Sequence, residues 1–128
     1  MHDQVEALRR LDGVEVEVFA FPPGLRSYPR AALALRRRYR RERFDVVHAH
    51  FGLTAWPALA LRGAPHAVTF HGTDLAHPRS GRLSRAALPF VALAATVSAS
   101  LATRIPGAGV RRRVAVLPCG VDLRRFRP

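Results

Sequence analysis

The amino-acid sequence predicts an α/β fold of the Rossmann-like type, with a mostly parallel sheet and helices on both of its faces. Three observations indicate this fold class. Short apolar runs alternate with amphipathic segments along all 128 residues. The runs contain β-branched and small apolar residues, as do strands that are buried on both faces of a parallel sheet. Polar residues directly follow several of the runs, at the edge where such sheets bind ligands.

Five strands are predicted. Residues 14–19 alternate apolar and polar side chains, which is typical of a half-exposed edge strand. The other four are continuous short apolar runs of the kind found in buried strands. They lie at residues 44–50, 68–70, 94–97 and 114–117.

Helices are predicted between these strands from apolar residues at helical spacing and from start and stop signals. Ser27 and Pro29 open one helix as cap and first-turn proline. Ser98 is a predicted N-cap, and Pro89 is expected to bend the helix that contains it. Residues 75–81 are rich in polar and turn residues and predict an exposed loop. The predicted helices cover residues 2–11, 27–43, about 54–62, 82–93 and 99–104.

The charge is strongly positive. Twenty-one basic residues, all of them arginine, face nine acidic ones, for a net charge of +12. Such a balance favours polyanionic partners. On the helix over 27–43, Arg37, Arg40 and Arg41 lie on the face opposite the apolar one, which makes it the predicted polyanion surface. No arginine cluster carries interleaved aromatics, so an anionic membrane is favoured over nucleic acid.

The sequence also predicts a compartment. No apolar run is long enough for a transmembrane helix, and the polar, acidic start lacks the layout of a signal peptide. The single cysteine, Cys119, cannot form an internal disulfide. We therefore expect a cytoplasmic protein, with the inner face of the plasma membrane as a place of peripheral contact.

Several predicted strands end in polar residues that neighbouring strands would bring together. His48 and His50 end one strand, and His71 and Asp74 follow the next. Because the carboxyl ends of parallel strands share one edge, these side chains are predicted to converge with Ser98 and Asp122 on one crevice. Each residue alone is equally compatible with a cap or a turn. His71 is the strongest candidate, because Gly72 gives it room and Asp74 offers a carboxylate to hold its charge or tautomer.

Two other chemistries remain open. His48, His50, His71 and Asp74 could ligate a metal in a hydrolase, although their spacing matches no diagnostic metal motif. Nucleophilic catalysis through Cys119 or Ser98 is less supported. Cys119 follows a proline in a turn, and no residue beside it obviously favours its thiolate form. There is no glycine-rich phosphate loop in the sequence, so a nucleotide site cannot be argued from one.

Four segments resemble the amino-terminal domain of retaining, family 4-like glycosyltransferases of the GT-B fold. They are Phe-Asp-Val-Val-His-Ala-His at 44–50, Thr-Phe-His-Gly-Thr-Asp at 69–74, Thr-Val-Ser at 96–98, and the stretch from Pro118 through Phe126-Arg127-Pro128. Members of that family have two Rossmann-like domains that face a cleft. The resemblance implies that residues 1–128 form the acceptor-side domain, an incomplete amino-terminal half of a GT-B fold, and that residues 118–128 begin the linker between domains.

The resemblance also implies roles for individual residues. His71 occupies the position of the catalytic family histidine that reaches the donor sugar, and His50 lies toward the acceptor. The implied donor or acceptor contacts are His50, Gly72, Thr73, Asp74, Ser98, Gly120 and Asp122. The co-substrate would be a nucleoside-diphosphate sugar, the acceptor a glycan, lipid or small molecule, and no metal or other cofactor would be needed. Cationic groups and helix N-termini would stabilise the leaving diphosphate.

Three departures from the family pattern bear on activity. The first strand and its glycine-containing loop do not precede Met1, and the second, donor-binding domain does not follow Pro128. Cys119 stands where the family usually has asparagine. From the first two departures we expect the chain alone to be inactive in sugar transfer. The alternative function is a non-catalytic basic module that binds an anionic membrane or nucleic acid.

Overall fold

Four strands form one parallel sheet. The computed structural model describes residues 2–24, 26–106 and 114–120. Its strands are β1 (Val47–His50), β2 (His66–Phe70), β3 (Leu93–Thr96) and β4 (Val114–Val116). They lie in the order β1-β2-β3-β4, and every neighbouring pair is parallel. The four predicted apolar strands are therefore confirmed, as is the Rossmann-like α/β fold class with helices flanking the sheet.

Two of the described helices precede the sheet, and the others lie in the connections between its strands. They are α1 (His2–Arg9), α2 (Ser27–Arg38), α3 (Ala55–Ala58), α4 (Thr73–Ala76), α5 (Pro78–Ala86) and α6 (Ala99–Ala102), with 3-10 turns at Gly52–Thr54 and Leu88–Phe90. The chain divides into two compact units. One is formed by Met1–Ala20 with Cys119–Pro128, and the other by Phe21–Pro118. The sheet and all helices after α1 belong to the second unit.

Residues 14–19 do not form a strand, contrary to the prediction. Their alternation gives an extended preference, but a strand also needs a neighbour to complete its hydrogen-bond ladder. Val14 and Val18 stay 40% and 39% exposed, so the apolar side of the pattern is not buried. Arg9 Nη2 donates to the carbonyl of Val16 at 3.2 Å, a side-chain bond in place of a ladder bond.

The predicted loop at residues 75–81 is also wrong, because this stretch is mostly helical. His77 is the N-cap of α5, with its Nδ1 accepting from the Ser80 amide at 3.4 Å, and Pro78 stands at the first helical position. Proline is favoured there because its missing N–H would have no partner in any case. The helix ends at Ala86, and Pro89 lies in the following 3-10 turn rather than in a bent helix.

Helix α2 is shorter than predicted. It ends at Arg38, and Tyr39 is its C-cap, with the Tyr39 amide donating to the Leu35 carbonyl. Extending the helix would place Arg36 and Arg37 one turn from Arg40 and Arg41, and like charges at that spacing are unfavourable. Arg40 and Arg41 consequently follow the helix instead of lying on its face.

The core lies against β2 and β3. Val68, Phe70 and Ala94 have at most 1% of their surface exposed. Leu75 of α4 and Leu88 of the second 3-10 turn belong to the same cluster. This packing holds the strands in register. The loops that follow the strands begin at their carboxyl ends, outside the core.

Candidate functional site

The carboxyl ends of β1, β2 and β3 meet at one edge of the sheet. In the register, His50 is opposite Thr69, and Phe70 is opposite Thr96. The next residues continue the pairing, since the Phe51 amide donates to the Thr69 carbonyl at 2.9 Å and the Val97 amide to the Phe70 carbonyl at 3.2 Å. The loops that carry the candidate residues therefore leave the sheet side by side.

Three histidines lie together at this edge. His50 Nδ1 is 3.4 Å from His71 Nε2, and the two ring centroids are 5.6 Å apart. The ring of His48 lies 4.4 Å from that of His50, and His48 Nε2 is 2.8 Å from the Thr69 hydroxyl. The predicted convergence of residues from two strands is thus present for the histidines.

Two histidines of the cluster, His48 and His50, favour the neutral imidazole. Burial, followed by the nearby rings of His48 and His71, lowers the pKa of His50 to about 4. Although much of His48 is exposed, the protein around its ring and the neighbouring His71 lower its pKa as well. A neutral imidazole has one donor and one acceptor nitrogen. At neutral pH, His50 can therefore exchange hydrogen bonds with the hydroxyl groups of a ligand.

Asp74 lies beneath this cluster and has none of its surface exposed. Its Oδ1 accepts from the amides of His71 and Gly72, at 3.1 and 2.8 Å, and its Oδ2 accepts from the Gly52 amide at 2.9 Å. From the sequence, this carboxylate is predicted to hold the charge or the tautomer of the His71 ring. It binds the backbone of His71 instead, and the ring lies against His50.

The loop after β1 has an unusual backbone. Phe51 has a φ of 84°, which is uncommon for a bulky residue. The Thr54 hydroxyl lies 2.7 Å from the carbonyl oxygens of both His50 and Phe51 and donates to them. Gly52 follows in the 3-10 turn, where an added Cβ would overlap Ser84. The sequence pattern predicts no role for Gly52, because the need for glycine there comes from a neighbour 32 positions away.

The remaining predicted residues have mixed placements. Gly72 precedes α4 with a φ of 119°, and Thr73 is the exposed first residue of that helix. Ser98 follows β3 at the same edge, and its Oγ accepts from the Leu101 amide at 3.3 Å, which confirms the predicted N-cap. Gly120 is exposed and belongs to the other compact unit, while Asp122 lies outside the described residues.

The proposed metal ligands do not form a metal-binding group. Within residues 2–24, 26–106 and 114–120, no three or more His, Cys, Asp or Glu side chains are arranged to hold a metal ion. The carboxylate of Asp74 points at backbone amides, although His48, His50 and His71 are close together.

A parallel Rossmann-like sheet with histidines gathered at its carboxyl edge defines an α/β domain of the class whose members bind ligands at that edge. A family model described as Glycosyltransferase Family 4 matches residues 1–125, and the chain belongs to this family. The resemblance seen in the sequence motifs is therefore confirmed. A search of curated proteins found no match.

Sugar donors and acceptors are the substrates that family membership implies. In the part of the chain that the structure describes, no helix is both long and apolar enough to cross a membrane.

Proposed function

We propose that this chain is the acceptor-side half of a glycosyltransferase. The enzyme would move a sugar from a nucleoside-diphosphate sugar to a glycan, lipid or small-molecule acceptor, with retention of anomeric configuration. The observation that carries the proposal is the exposed ring of His71, 3.4 Å from His50 at the carboxyl edge of a family 4 chain. Residues 118–128 would lead from this domain toward the donor-binding one.

In this proposal the two histidines contact different substrates. His71 hydrogen-bonds to the donor sugar while the bond between the anomeric carbon and the diphosphate breaks. His50 is neutral at pH 7 and accepts a hydrogen bond from an acceptor hydroxyl. The oxygen of that hydroxyl forms the new glycosidic bond, and its proton passes to the leaving diphosphate. Thr73, Ser98, Gly120 and Asp122 remain proposed substrate contacts.

The His71→Ala variant tests the donor role. We expect kcat for nucleoside-diphosphate release to fall roughly 10²-fold. This is the usual loss when a hydrogen-bond donor that stabilises a developing charge is removed. The assay uses the polypeptide as its gene encodes it, with a panel of nucleoside-diphosphate sugars. His66→Ala is the matched control, because His66 lies at the opposite end of the same strand and bonds the Ala58 carbonyl at 3.0 Å. Equal kcat values in both variants would refute the role of His71.

Helix α2 supports a second function, contact with an anionic membrane. Arg30, Arg37 and Arg38 line an open depression of about 630 Å³ together with Leu33 and Ala34. Leu33 is 50% exposed among these cations. A surface that joins cationic and apolar groups fits lipid head groups and the acyl boundary beneath them. Non-specific binding of nucleic acid would depend on the positive charge of the arginines and would not need the exposed leucine.

The double substitution Arg30→Gln and Arg37→Gln tests this surface. We expect affinity for phosphatidylserine-containing vesicles to fall on the order of 30-fold, because each arginine near such a surface contributes about 1 kcal/mol. Sedimentation at two salt concentrations and a gel shift with duplex DNA are run in parallel. Arg79→Gln and Arg82→Gln on α5 form the control pair. Unchanged vesicle binding in the α2 variant, or tighter binding to DNA than to vesicles, would contradict the membrane assignment.

A further inference from the structure

We infer that Asp74 is a positioning residue, which ties the loop after β1 to the loop after β2 and thereby sets the separation of His50 and His71. A direct substrate contact, as the sequence motif suggested, does not fit its complete burial. Asp74 is also the only acidic residue of the sequence between Asp45 and Asp122. The one carboxylate in this long stretch thus accepts hydrogen bonds from backbone amides beneath the histidines.

The two carboxylate oxygens differ in the loops that they bond. Oδ1 accepts only from the loop after β2, from the amides of His71 and Gly72. Oδ2 accepts from Gly52 at 2.9 Å and, more distantly, from His71 at 3.2 Å. The bond from Gly52 to Oδ2 therefore connects the chain two residues past His50 to the segment that begins with His71.

This connection acts where the sheet no longer controls the chain. The ladder continues as far as the Phe51 amide, which donates to the Thr69 carbonyl. Phe51 then turns the backbone out of the sheet with its φ of 84°. A conformation of this kind costs about 1–3 kcal/mol and persists only when its surroundings enforce it. The Gly52 amide bonded to Asp74 is one of the contacts that enforce it.

A carboxylate suits this position better than its neutral analogue. It accepts hydrogen bonds on both oxygens, and charge-assisted bonds of this kind are stronger than neutral ones. An asparagine amide has one acceptor oxygen and one NH₂ donor. With the oxygen at the Oδ1 position, asparagine would keep the bonds from His71 and Gly72 and would oppose an NH₂ to the Gly52 N–H. The opposite orientation would keep the longer bonds, 2.9 Å from Gly52 and 3.2 Å from His71, in place of those of 2.8 and 3.1 Å. We therefore expect the Asp74→Asn substitution to remove the bond between the loops.

Nuclear magnetic resonance of the Asp74→Asn variant tests the inference. We expect the Gly52 amide to lose protection from hydrogen exchange, while the Gly72 amide keeps it. Cross-relaxation between the ring protons of His50 and His71 should be lost as the loops separate. The contact between His48 and His50 is the internal control, since both residues lie on β1. Val91→Ala, a core change outside the three strand-end loops, controls for general destabilisation.

Each outcome decides the matter. Loss of the His50–His71 contact together with Gly52 protection, in Asp74→Asn but not in Val91→Ala, would support the inference. Persistence of both signals in a folded Asp74→Asn variant whose Gly72 amide also stays protected would overturn it. If Gly72 loses protection and Gly52 keeps it, the asparagine oxygen faces Gly52. The contact between His50 and His71 must then persist, and its loss would overturn the inference. If that variant does not fold, the wild-type chain is measured for through-hydrogen-bond coupling between the Gly52 amide nitrogen and Asp74 Cγ, and absence of this coupling would overturn the inference.

The consequence for catalysis rests on the proposed function of His50 and His71. Given that function, Asp74→Asn should lower kcat for sugar transfer roughly 10²-fold, as expected when reacting groups are displaced by about 1 Å. The two readouts separate the ideas. If the loops separate and transfer is unchanged, the proposed function fails, whereas unmoved loops refute the positioning role whatever the activity.

Discussion

Replacing Gly52 by alanine is expected to lower the free energy of unfolding by about 3 kcal/mol, at the upper end of the usual cost of overpacking. A Cβ at this position would overlap the side chain of Ser84 and would lie 2.7 Å from Phe70 Cε1. Neither neighbour can move easily, because both side chains are completely buried. Relaxation would instead displace the 3-10 turn and with it the amide that binds Asp74.

Urea unfolding of Gly52→Ala measures this effect, with Gly120→Ala as its control. A Cβ at Gly120 would have no neighbour within 4 Å, so the control should stay within about 0.5 kcal/mol of the wild type. Adding Ser84→Gly to Gly52→Ala removes the overlapping atoms and should recover part of the loss. An unfolding curve for Gly52→Ala that matches the wild type would show that the packing around this turn is looser than described.

Phe70→Ala is expected to cost about 3–5 kcal/mol, the range for truncating a buried phenylalanine. Phe70 has no exposed surface, belongs to the core cluster and ends β2 directly before His71. Truncation would leave a cavity beneath the histidine cluster as well as removing apolar contacts. We therefore expect the His50 and His71 resonances to shift or broaden in this variant.

Phe90→Ala is the matched control for Phe70→Ala. Phe90 is 61% exposed and makes a tilted contact with Trp56 at 6.1 Å between ring centroids. Surface substitutions of this kind usually change stability by no more than about 0.5 kcal/mol. Equal losses in the two variants, measured by the same urea titration, would contradict the assignment of Phe70 to the core.

These expectations share one physical origin. In the proposed function the histidine side chains carry the chemistry, and we infer that backbone amides, a buried carboxylate and a close-packed glycine hold them in place. Gly52 takes part in both the packing and the hydrogen bonding. Its missing side chain permits the packing on Ser84, and its amide donates to Asp74. Variants that leave every histidine intact can therefore disturb the site.

Local patterns in the sequence determined much of the fold and the identity of the main candidates. Continuous apolar runs predicted β1 through β4, because burial on both faces of a parallel sheet leaves that pattern in the residues themselves. The strand-end positions of His50 and His71 then predicted their meeting, because neighbouring parallel strands end at one edge. Ser98 was recognisable as a cap since its partner amide is only three residues away.

Only the tertiary structure decided the features that depend on distant partners. Residues 14–19 carry a strand pattern, but a ladder requires a neighbour that no local pattern can supply. From the sequence, Asp74 is predicted to be a partner for the His71 ring. In the structure its carboxylate accepts a hydrogen bond from the amide of Gly52, 22 residues earlier. No local pattern singles out Gly52, because the side chains that exclude a Cβ there belong to Ser84 and Phe70. Apolar periodicity is a property of a segment, whereas hydrogen-bond partners and close approaches belong to pairs that folding brings together.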